Sequence, residues 1–303
     1  MRTTRTTVVT TAATAFFALM TGLGPRIATA TESGSDNIGK GSEGFFAGML
    51  PEPGWYGVLY ANYYHATRVN DGRGNSAVPG FRLSAEVMAG RIFYMSDARF
   101  AGGRLGFFGI GSLAALQNET GTSAAHRNGV GDITVGPTLG WDLGSFHPLI
   151  AMDVVLPVGG YDSARALNTG GNYYAVRPIF AFSNLSDNGL EISAKFTYTY
   201  NFRNRDTDYR SGQLVHFDYS ASYPVTHNLR LGVNGYYLDQ TSDDVQHGLP
   251  VNGDGHRGRV AAIGPALHYQ FEKISVDFKV LKEFGARNRA QGSSIWAKAV
   301  LPF

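Results

Sequence analysis

The feature that most limits the fold of this chain is a strict two-residue alternation that recurs in many separate segments. In 191–202 (EISAKFTYTYNF) every odd-numbered residue is polar and every even-numbered residue is apolar or aromatic. Successive side chains of a β-strand point to opposite faces, so this segment is predicted to be a strand with one polar and one apolar face. The pattern recurs in 132–143, 213–223, 258–271 and 274–281. The chain is therefore expected to be all-β.

The composition agrees with a fold of many strands and turns. The 303 residues include 39 Gly, 19 Phe and 16 Tyr, and charged residues make up only 17%, below the usual quarter. A net charge of +2 without long Lys/Arg runs argues against a nucleic-acid partner. The absence of cysteine excludes disulfide frameworks and thiolate metal sites.

The N-terminus has the pattern of a secretory signal peptide. Arg2 and Arg5 precede an apolar stretch over 8–20, and Ala28-Thr29-Ala30 follows as an A-x-A site. This predicts a signal peptide over 1–30, cleaved after Ala30. The alternative is an uncleaved anchor helix, which the short, Thr-interrupted apolar stretch disfavours.

The rest of the chain divides into a lead-in and one β domain. Residues 31–53 are rich in Gly, Ser and Pro and are expected to form a periplasmic tail or a plug, ahead of a β domain over 54–303. Twelve strands are predicted, near 54–67, 81–95, 102–116, 129–143, 147–158, 171–184, 189–202, 212–224, 228–239, 258–271, 274–284 and 293–303. Long polar gaps, including 117–128 and 286–292, alternate with short ones such as 186–188. Short turns alternating with longer loops are typical of bacterial outer-membrane barrels.

The direction of the apolar faces separates two folds. Inward apolar faces would make a soluble sandwich or barrel, whereas outward ones would make a transmembrane antiparallel up-and-down β-barrel in outer-membrane lipid. Strand lengths near those that cross a bilayer, and a terminal Phe303, favour the transmembrane barrel. Aromatic residues near strand ends are expected to form an interfacial girdle: Trp55, Tyr63, Tyr64, Tyr173, Tyr174, Tyr236, Tyr237 and Trp296. Trp296, Leu301 and Phe303 are predicted to form the assembly signal read by the barrel-assembly machinery.

Several motifs in order carry a family resemblance. They are EGFFAGMLPEPGWYGVLYANYYHATRVNDGRGN (43–75), GVGDITVGPTLGW (129–141), DVVLPVGGYD (153–162), DTDYRSG (206–212), GHRGRVAAIGPALHYQF (255–271) and LKEFGARNRAQGSSIWAKAVLPF (281–303). Together they resemble the family named for the MetA pathway of phenol degradation. The resemblance implies an outer-membrane β-barrel with a role in uptake of small aromatic or other hydrophobic substrates. It supplies no set of functional residues.

Charged residues on the predicted polar faces are candidates for lining the lumen. They are Arg82, Glu86, Asp132, Asp153, Arg177, Glu191, Lys195, His216, Asp218, Arg230, Asp277, Lys279 and Lys298. Both signs occur in similar number, which predicts ion pairs across the lumen rather than a strongly ion-selective pore. About twelve strands further indicates a lumen that is narrow or plugged.

The sequence shows no enzyme signature. G-x-S-x-G, H-E-x-x-H and P-loop motifs are absent, and His216 with Asp218 fits a lumen hydrogen-bond pair better than a catalytic pair. Asp243, Asp244 and Asp254 could bind Ca²⁺, although a solvated loop fits their spacing better. We therefore expect a passive uptake channel with no catalytic residues, cofactor or metal. An outer-membrane lipid-modifying enzyme and a closed structural barrel are the alternatives.

Overall fold

The computed structural model describes residues 31–34 and 36–303. The predicted signal peptide lies outside the described residues. Two short 3₁₀ turns occur, at Glu32–Gly34 and Val251–Gly253. No helix in the described part of the chain is long and apolar enough to cross a membrane.

Strands dominate the described residues. Their bounds are β1 Gly54–Val69, β2 Arg82–Phe100, β3 Gly103–Thr120, β4 Ser123–Val130, β5 Ile133–Gly140, β6 Phe146–Leu156, β7 Ala175–Leu185, β8 Glu191–Asn201, β9 Tyr209–Arg210, β10 Leu214–Pro224, β11 Leu229–Gln240, β12 Val245–Gln246, β13 Leu249–Pro250, β14 Arg259–Phe271, β15 Ile274–Arg287 and β16 Ala290–Pro302. The short strands β9, β12 and β13 form a separate small sheet.

The remaining strands close into one antiparallel barrel. β1 pairs with β2 on one side and with β16 on the other, so the first and last strands seal the wall. β5 and β4 pair with successive parts of β3 and act as one wall strand interrupted at Gly131 and Asp132. Counted in this way, the barrel has twelve wall strands, which confirms the predicted fold.

The apolar strand faces point outward. In β8, Ile192 and Phe196 are 44% and 40% exposed, whereas Glu191, Ser193 and Thr199 are fully buried. A soluble β-barrel or sandwich would instead bury its apolar side chains and expose its polar ones. The outer surface is therefore an apolar band suited to lipid, and the polar faces line the interior.

The predicted aromatic girdle is only partly correct. Tyr63 and Tyr174 are exposed, but their neighbours Tyr64 and Tyr173 point inward or are buried. Tyr236 is also buried, beside the outward-facing Tyr237. Along an extended chain, neighbouring side chains point in opposite directions, so both members of such a pair cannot face lipid.

Two of the segments predicted to be polar loops, 117–128 and 286–292, form tight hairpins in the structure. β3 and β4 extend through 117–128 and meet at a two-residue turn, and β15 and β16 do the same within 286–292. The long connections are 70–81, 157–174, 202–213 and 241–258, all at one end of the barrel, called here the loop end. The opposite end is called the short-turn end. β1, β2 and β3 have 16, 19 and 18 residues, more than crossing a bilayer requires, so they project beyond the membrane.

The wall is interrupted at one place in the loop-end half. β6 pairs with β5 and with β7, whereas β4 pairs with β3 alone. The loop 157–174 lies beside the other edge of β4, where Gly160 N and Thr169 Oγ1 donate hydrogen bonds to Val130 O at 3.0 and 2.8 Å. A loop rather than a strand ladder thus completes the barrel between β4 and β7.

Candidate functional site: the barrel lumen

The N-terminal segment, defined here as residues 31–53, runs inside the barrel from the loop end to the short-turn end. At the loop end, Thr31 N donates a hydrogen bond to the buried Asp244 carboxylate at 2.8 Å. Near the short turns, Gly48 N donates to the buried Ser183 Oγ at 2.9 Å. Inward-facing side chains of the wall therefore fix the path of the segment.

Glycine allows the segment to lie this close to the wall. A Cβ on Gly44 would fall 1.8 Å from Asn234 Nδ2, and a Cβ on Gly48 would fall 2.2 Å from His147 O. The His147 oxygen belongs to the backbone and cannot move aside, whereas the Asn234 amide is the end of a side chain and would have to rotate away. Close approach of the segment backbone to the wall therefore explains why this stretch is rich in glycine. The sequence alone indicated only irregular structure here.

The Glu43 carboxylate of the segment is surrounded by a group of wall residues named here the Glu43 cluster: Tyr60, Arg91, Lys195 and Lys298. Arg91 Nη2 lies 2.6 Å from Glu43 Oε1, and Lys298 Nζ lies 3.6 Å from Glu43 Oε2. Lys195 Nζ is 3.9 Å from Oε1, and Tyr60 Oη donates to the same oxygen at 3.3 Å. One carboxylate is therefore held by four side chains from β1, β2, β8 and β16.

A row of facing residues extends this cluster across the wall. Lys298 is directly opposite Asp277, and Asp277 is directly opposite His268. Lys298 Nζ lies 3.1 Å from Asp277 Oδ2, and His268 Nδ1 lies 2.6 Å from Asp277 Oδ1. Facing residues on antiparallel strands are close enough to pair, so strand register alone brings these groups together.

Asp218 of β10 holds the segment backbone beside the cluster. Its carboxylate accepts hydrogen bonds from Gly41 N at 2.9 Å and from Glu43 N at 3.3 Å. Lys279 Nζ, on β15 three strands away, donates to Glu43 O at 2.6 Å. The wall thus binds both the backbone and the side chain of Glu43.

Asp153 and Arg177 form a second buried ion pair. They face each other across β6 and β7, with Nε–Oδ1 and Nη2–Oδ2 distances of 2.6 and 3.0 Å. Arg177 Nη2 also donates to Thr134 Oγ1 at 3.2 Å. Bidentate geometry of this kind fixes the guanidinium plane.

The space left between the segment and the wall includes two sizeable cavities. The larger has a volume of about 1270 Å³ and lies towards the loop end. Apolar residues on its wall include Leu83, Val87, Ile110, Ala114 and Leu116. The smaller, about 600 Å³, lies towards the short turns and is lined in part by Phe93, Phe108, Leu149 and Ile179.

The two cavities meet at the Glu43 cluster. Tyr60, Arg91, Ile110 and Arg177 line both. A solute moving along the lumen would therefore pass two chambers with mixed apolar and charged walls, which meet at the Glu43 cluster.

Polar contacts also fix the segment at the short-turn end. Glu191 accepts hydrogen bonds from Phe46 N at 3.2 Å and from Ser222 Oγ at 2.7 Å. The Arg230 guanidinium lies over the Phe46 ring, 5.5 Å from its centroid. Because Arg230 also donates to Gly189 O at 2.6 Å, it links the segment to a short turn.

Eleven of the thirteen candidate lumen residues lie on the inner face: Asp132, Asp153, Arg177, Glu191, Lys195, His216, Asp218, Arg230, Asp277, Lys279 and Lys298. Arg82 and Glu86 do not, because they share the outer face of β2 with the exposed Met88. Arg82 pairs there with Glu119 at 3.3 Å. Their placement in the lumen was wrong because the inward residues of β2 are the odd-numbered ones.

The three predicted assembly residues do not share one surface. Phe303 is 83% exposed and Leu301 is half-buried, whereas Trp296 is 8% exposed and lies against the N-terminal segment beside Gly41. Trp296 occupies an even-numbered, inward position of β16. It is thus a lumen residue, and only Leu301 and Phe303 remain on the outer face.

Sequence reasoning missed Glu43, Tyr60, Arg91 and His268 as site residues. Arg91 shares the odd-numbered face of β2 with Val87 and Ala89, so consistent use of the alternation would have found it. Nothing in the sequence pairs Glu43 with Arg91, because the segment has no periodicity.

The Asp244 carboxylate at the loop end is buried, whereas the sequence predicted that it would lie in a solvated loop. Asp244 accepts hydrogen bonds from Tyr209 Oη at 2.6 Å, Gly212 N at 2.7 Å and Gln240 Nε2 at 2.8 Å, besides that from Thr31 N. Burial raises the pKa of Asp244, since the hydrogen bonds offset only part of the lost hydration. Asp243 instead pairs with Arg257 at 2.6 Å.

The inward His216 and Asp218 share the inner face of β10 and line the smaller cavity. Their Nε2–Oδ1 distance is 3.3 Å, both are almost fully buried, and Asp218 already binds the segment. Among the described residues, no group of three or more His, Asp or Glu side chains is placed to hold a metal ion.

Fold and interior together define a transmembrane β-barrel with an internal N-terminal segment. A family profile described as "MetA-pathway of phenol degradation" matches residues 66–299. The chain belongs to this family.

Solved structures show the same fold. An outer membrane channel from Pseudomonas putida F1 superposes with a TM-score of 0.74 at 16% identity, covering 85% of this chain and 98% of that one. The transport unit of the autotransporter AIDA-I from Escherichia coli gives a TM-score of 0.50 at 12% identity, covering 85% and 92%. No curated protein sequence matches the chain significantly.

Proposed function

We propose that this protein is a bacterial outer-membrane channel for passive uptake of small aromatic or hydrophobic molecules. The observation that carries the proposal is the pair of cavities that lie in series along the lumen, each with apolar side chains on part of its wall, and that meet at the Glu43 cluster. Family membership and the fold shared with an outer membrane channel support it.

In this proposal, the segment 31–53 is a plug that must shift before a solute passes. Hydrogen bonds and ion pairs to the wall hold it, rather than a continuous apolar core, and water can replace such contacts when the lumen opens. Glu43 is the main contact at the constriction. Uptake is then diffusive, without catalysis, cofactor or metal.

Cleavage after Ala30 would complete the loop-end attachment of the plug. Thr31 would become the mature N-terminus, and its α-ammonium would replace the amide that now lies 2.8 Å from the Asp244 carboxylate. A cation there would offset the burial of Asp244 far better than an amide. The buried carboxylate beside Thr31, the residue that follows the A-x-A pattern in the sequence, supports the proposed processing.

The interrupted wall suggests a second exit from the same lumen. The larger cavity reaches Gly131 and Asp132, where β4 gives way to β5, and it is bordered by residues of the loop 157–174. A hydrophobic solute could leave sideways into the membrane there if that loop moved. This route would serve solutes that partition into lipid, and it too would open only after the plug, whose residues line the same cavity, has shifted.

Initial uptake of labelled compounds by intact cells tests the proposal. Cells with and without this gene would be given benzyl alcohol, benzoate, an alkane and a sugar at limiting concentrations. We expect deletion to slow uptake of the aromatic compounds and to leave the sugar unchanged. Unchanged uptake of every compound would rule out the channel and leave the lipid-modifying enzyme or the closed barrel.

A further inference from the structure

We propose that the Glu43 cluster is a binding site for the carboxylate of an aromatic acid, and that Glu43 occupies it as an internal ligand. This inference rests on the proposed channel function and names a substrate class for it. Both oxygens of the Glu43 carboxylate are engaged, Oε1 by Arg91 and Tyr60 and Oε2 by Lys298. A solute carboxylate could make the same contacts.

The charges of the wall require an anion at this point. In the described residues, Arg91 and Lys195 form ion pairs with Glu43 and with no other carboxylate, while Lys298 also pairs with Asp277. When the plug shifts, two cations would be left without an ion-pair partner in a narrow lumen. Unpaired charges in such surroundings are costly, so an anionic solute that takes the place of Glu43 favours the open state.

The surroundings of the cluster fit an aromatic ring attached to the carboxylate. The Arg91 guanidinium lies over the rings of Tyr60 and Phe108, 5.3 and 5.6 Å from their centroids. Phe93 lines the same 600 Å³ cavity. This volume lies within the range of roughly 300–1,000 Å³ typical of small-molecule sites.

The plug itself carries the matching chemistry. Phe45 follows Glu43 by two residues, is 3% exposed and packs its ring against His268, with centroids 6.2 Å apart. Glu43 and Phe45 both line the smaller cavity. The plug therefore presents a carboxylate and an aromatic ring to the site, as an arylcarboxylate would.

Neutral aromatic compounds would use the cavities without this selectivity. Benzyl alcohol has the size of benzoate but no charge, so it cannot replace Glu43 between Arg91 and Lys298. We therefore expect benzoate, but not benzyl alcohol, to compete with Glu43 for the cluster.

Isothermal titration calorimetry of the purified full-length protein in detergent tests this inference, with benzoate and benzyl alcohol as probes. We expect Glu43→Gln to bind benzoate roughly tenfold more tightly than wild type, because the internal ligand no longer competes. Adding Arg91→Gln should reverse the gain, since loss of one partner in a buried charge pair costs at least about tenfold. Benzyl alcohol should bind all variants alike.

Two outer-face substitutions provide matched controls. Glu86→Gln and Arg82→Gln make the same chemical changes on the outer face of β2 and should leave benzoate binding at the wild-type level. The heat-dependent gel shift of a folded barrel confirms that each variant is assembled. If the Arg91 variant does not fold, Lys195→Gln in the Glu43→Gln background tests the same site.

The result that overturns the inference is benzoate binding that Glu43→Gln leaves unchanged, or that Arg91→Gln or Lys195→Gln does not weaken. Uptake of benzyl alcohol by cells shows whether only the carboxylate site is wrong or whether the proposed channel function is wrong as well. If the gene still promotes benzyl alcohol uptake, the channel stands and only the carboxylate site is wrong. If the gene promotes uptake of neither compound, the channel is wrong.

Discussion

Glu43 and Arg91, which are 48 positions apart in sequence, form a 2.6 Å ion pair in the middle of the barrel. One residue belongs to the N-terminal segment and the other to the wall strand β2. The contact therefore joins the part of the chain that lies inside the lumen to the part that forms its wall. It also lies where the two cavities meet.

The Asp153–Arg177 pair should contribute strongly to barrel stability. We expect Arg177→Gln to lower the free energy of unfolding by roughly 3–5 kcal/mol, because it leaves a buried carboxylate unpaired. Urea unfolding in detergent micelles measures the change. Arg82→Gln is the control, since its exposed pair with Glu119 should be worth about 0–1 kcal/mol. Equal effects of the two substitutions would contradict the buried position of Arg177.

The outward direction of the apolar faces can be tested on β8. Phe196→Arg places a charge on the lipid face and should destabilise the folded barrel in liposomes by roughly 2–4 kcal/mol. Phe196→Leu keeps that face apolar and should have a small effect. A mild effect of the arginine would indicate that Phe196 faces water.

Attachment of the segment at the loop end depends on Asp244. N-terminal sequencing of the mature protein should begin at Thr31. Asp244→Asn should then speed tryptic cleavage at Lys40 by roughly 10- to 100-fold, as expected for the loss of a buried hydrogen bond to a charged group. Asp254→Asn is the control, because Asp254 is exposed on the same loop. If the two variants are cleaved at equal rates, Thr31 is not anchored at Asp244.

Phe303 should matter for assembly more than for stability. We expect Phe303→Ala to lower the amount of assembled barrel in cells while leaving refolding into detergent unchanged, because the exposed ring is available to the assembly machinery. Trp296→Phe should instead affect stability, since Trp296 packs against the segment. A normal cellular level of the Phe303 variant would remove Phe303 from the assembly signal.

The sequence predicted those features that depend on alternation. The period of two located the wall strands and placed Glu191, Lys195 and Asp218 on the inner face, because side-chain direction follows position along a strand. Arg82 was wrongly assigned to the lumen and Trp296 to the outer face. Both residues were selected by charge or aromaticity, without checking whether an odd or an even position of that strand points inward.

Features that depend on long-range contacts could not be predicted in this way. The path of the segment 31–53 is set by inward groups such as Asp218 and Ser183, which lie far away in sequence. The interruption at Gly131 and Asp132 likewise depends on how the loop 157–174 packs beside β4.

A reversible crosslink between the plug and the wall tests the central claim most directly. A Cβ on Gly44 would lie 3.0 Å from Asn234 Cγ, so cysteines at these two positions are close enough to form a disulfide. The chain contains no other cysteine. The measurement is initial uptake of benzyl alcohol by cells that carry Gly44→Cys/Asn234→Cys, before and after reduction, with each single substitution as control.

We expect the oxidised double variant to take up benzyl alcohol no faster than cells without the gene, and reduction to restore uptake to the level of the single variants. Uptake at the wild-type rate while the disulfide is intact would contradict the claim that the N-terminal segment must move for solutes to pass.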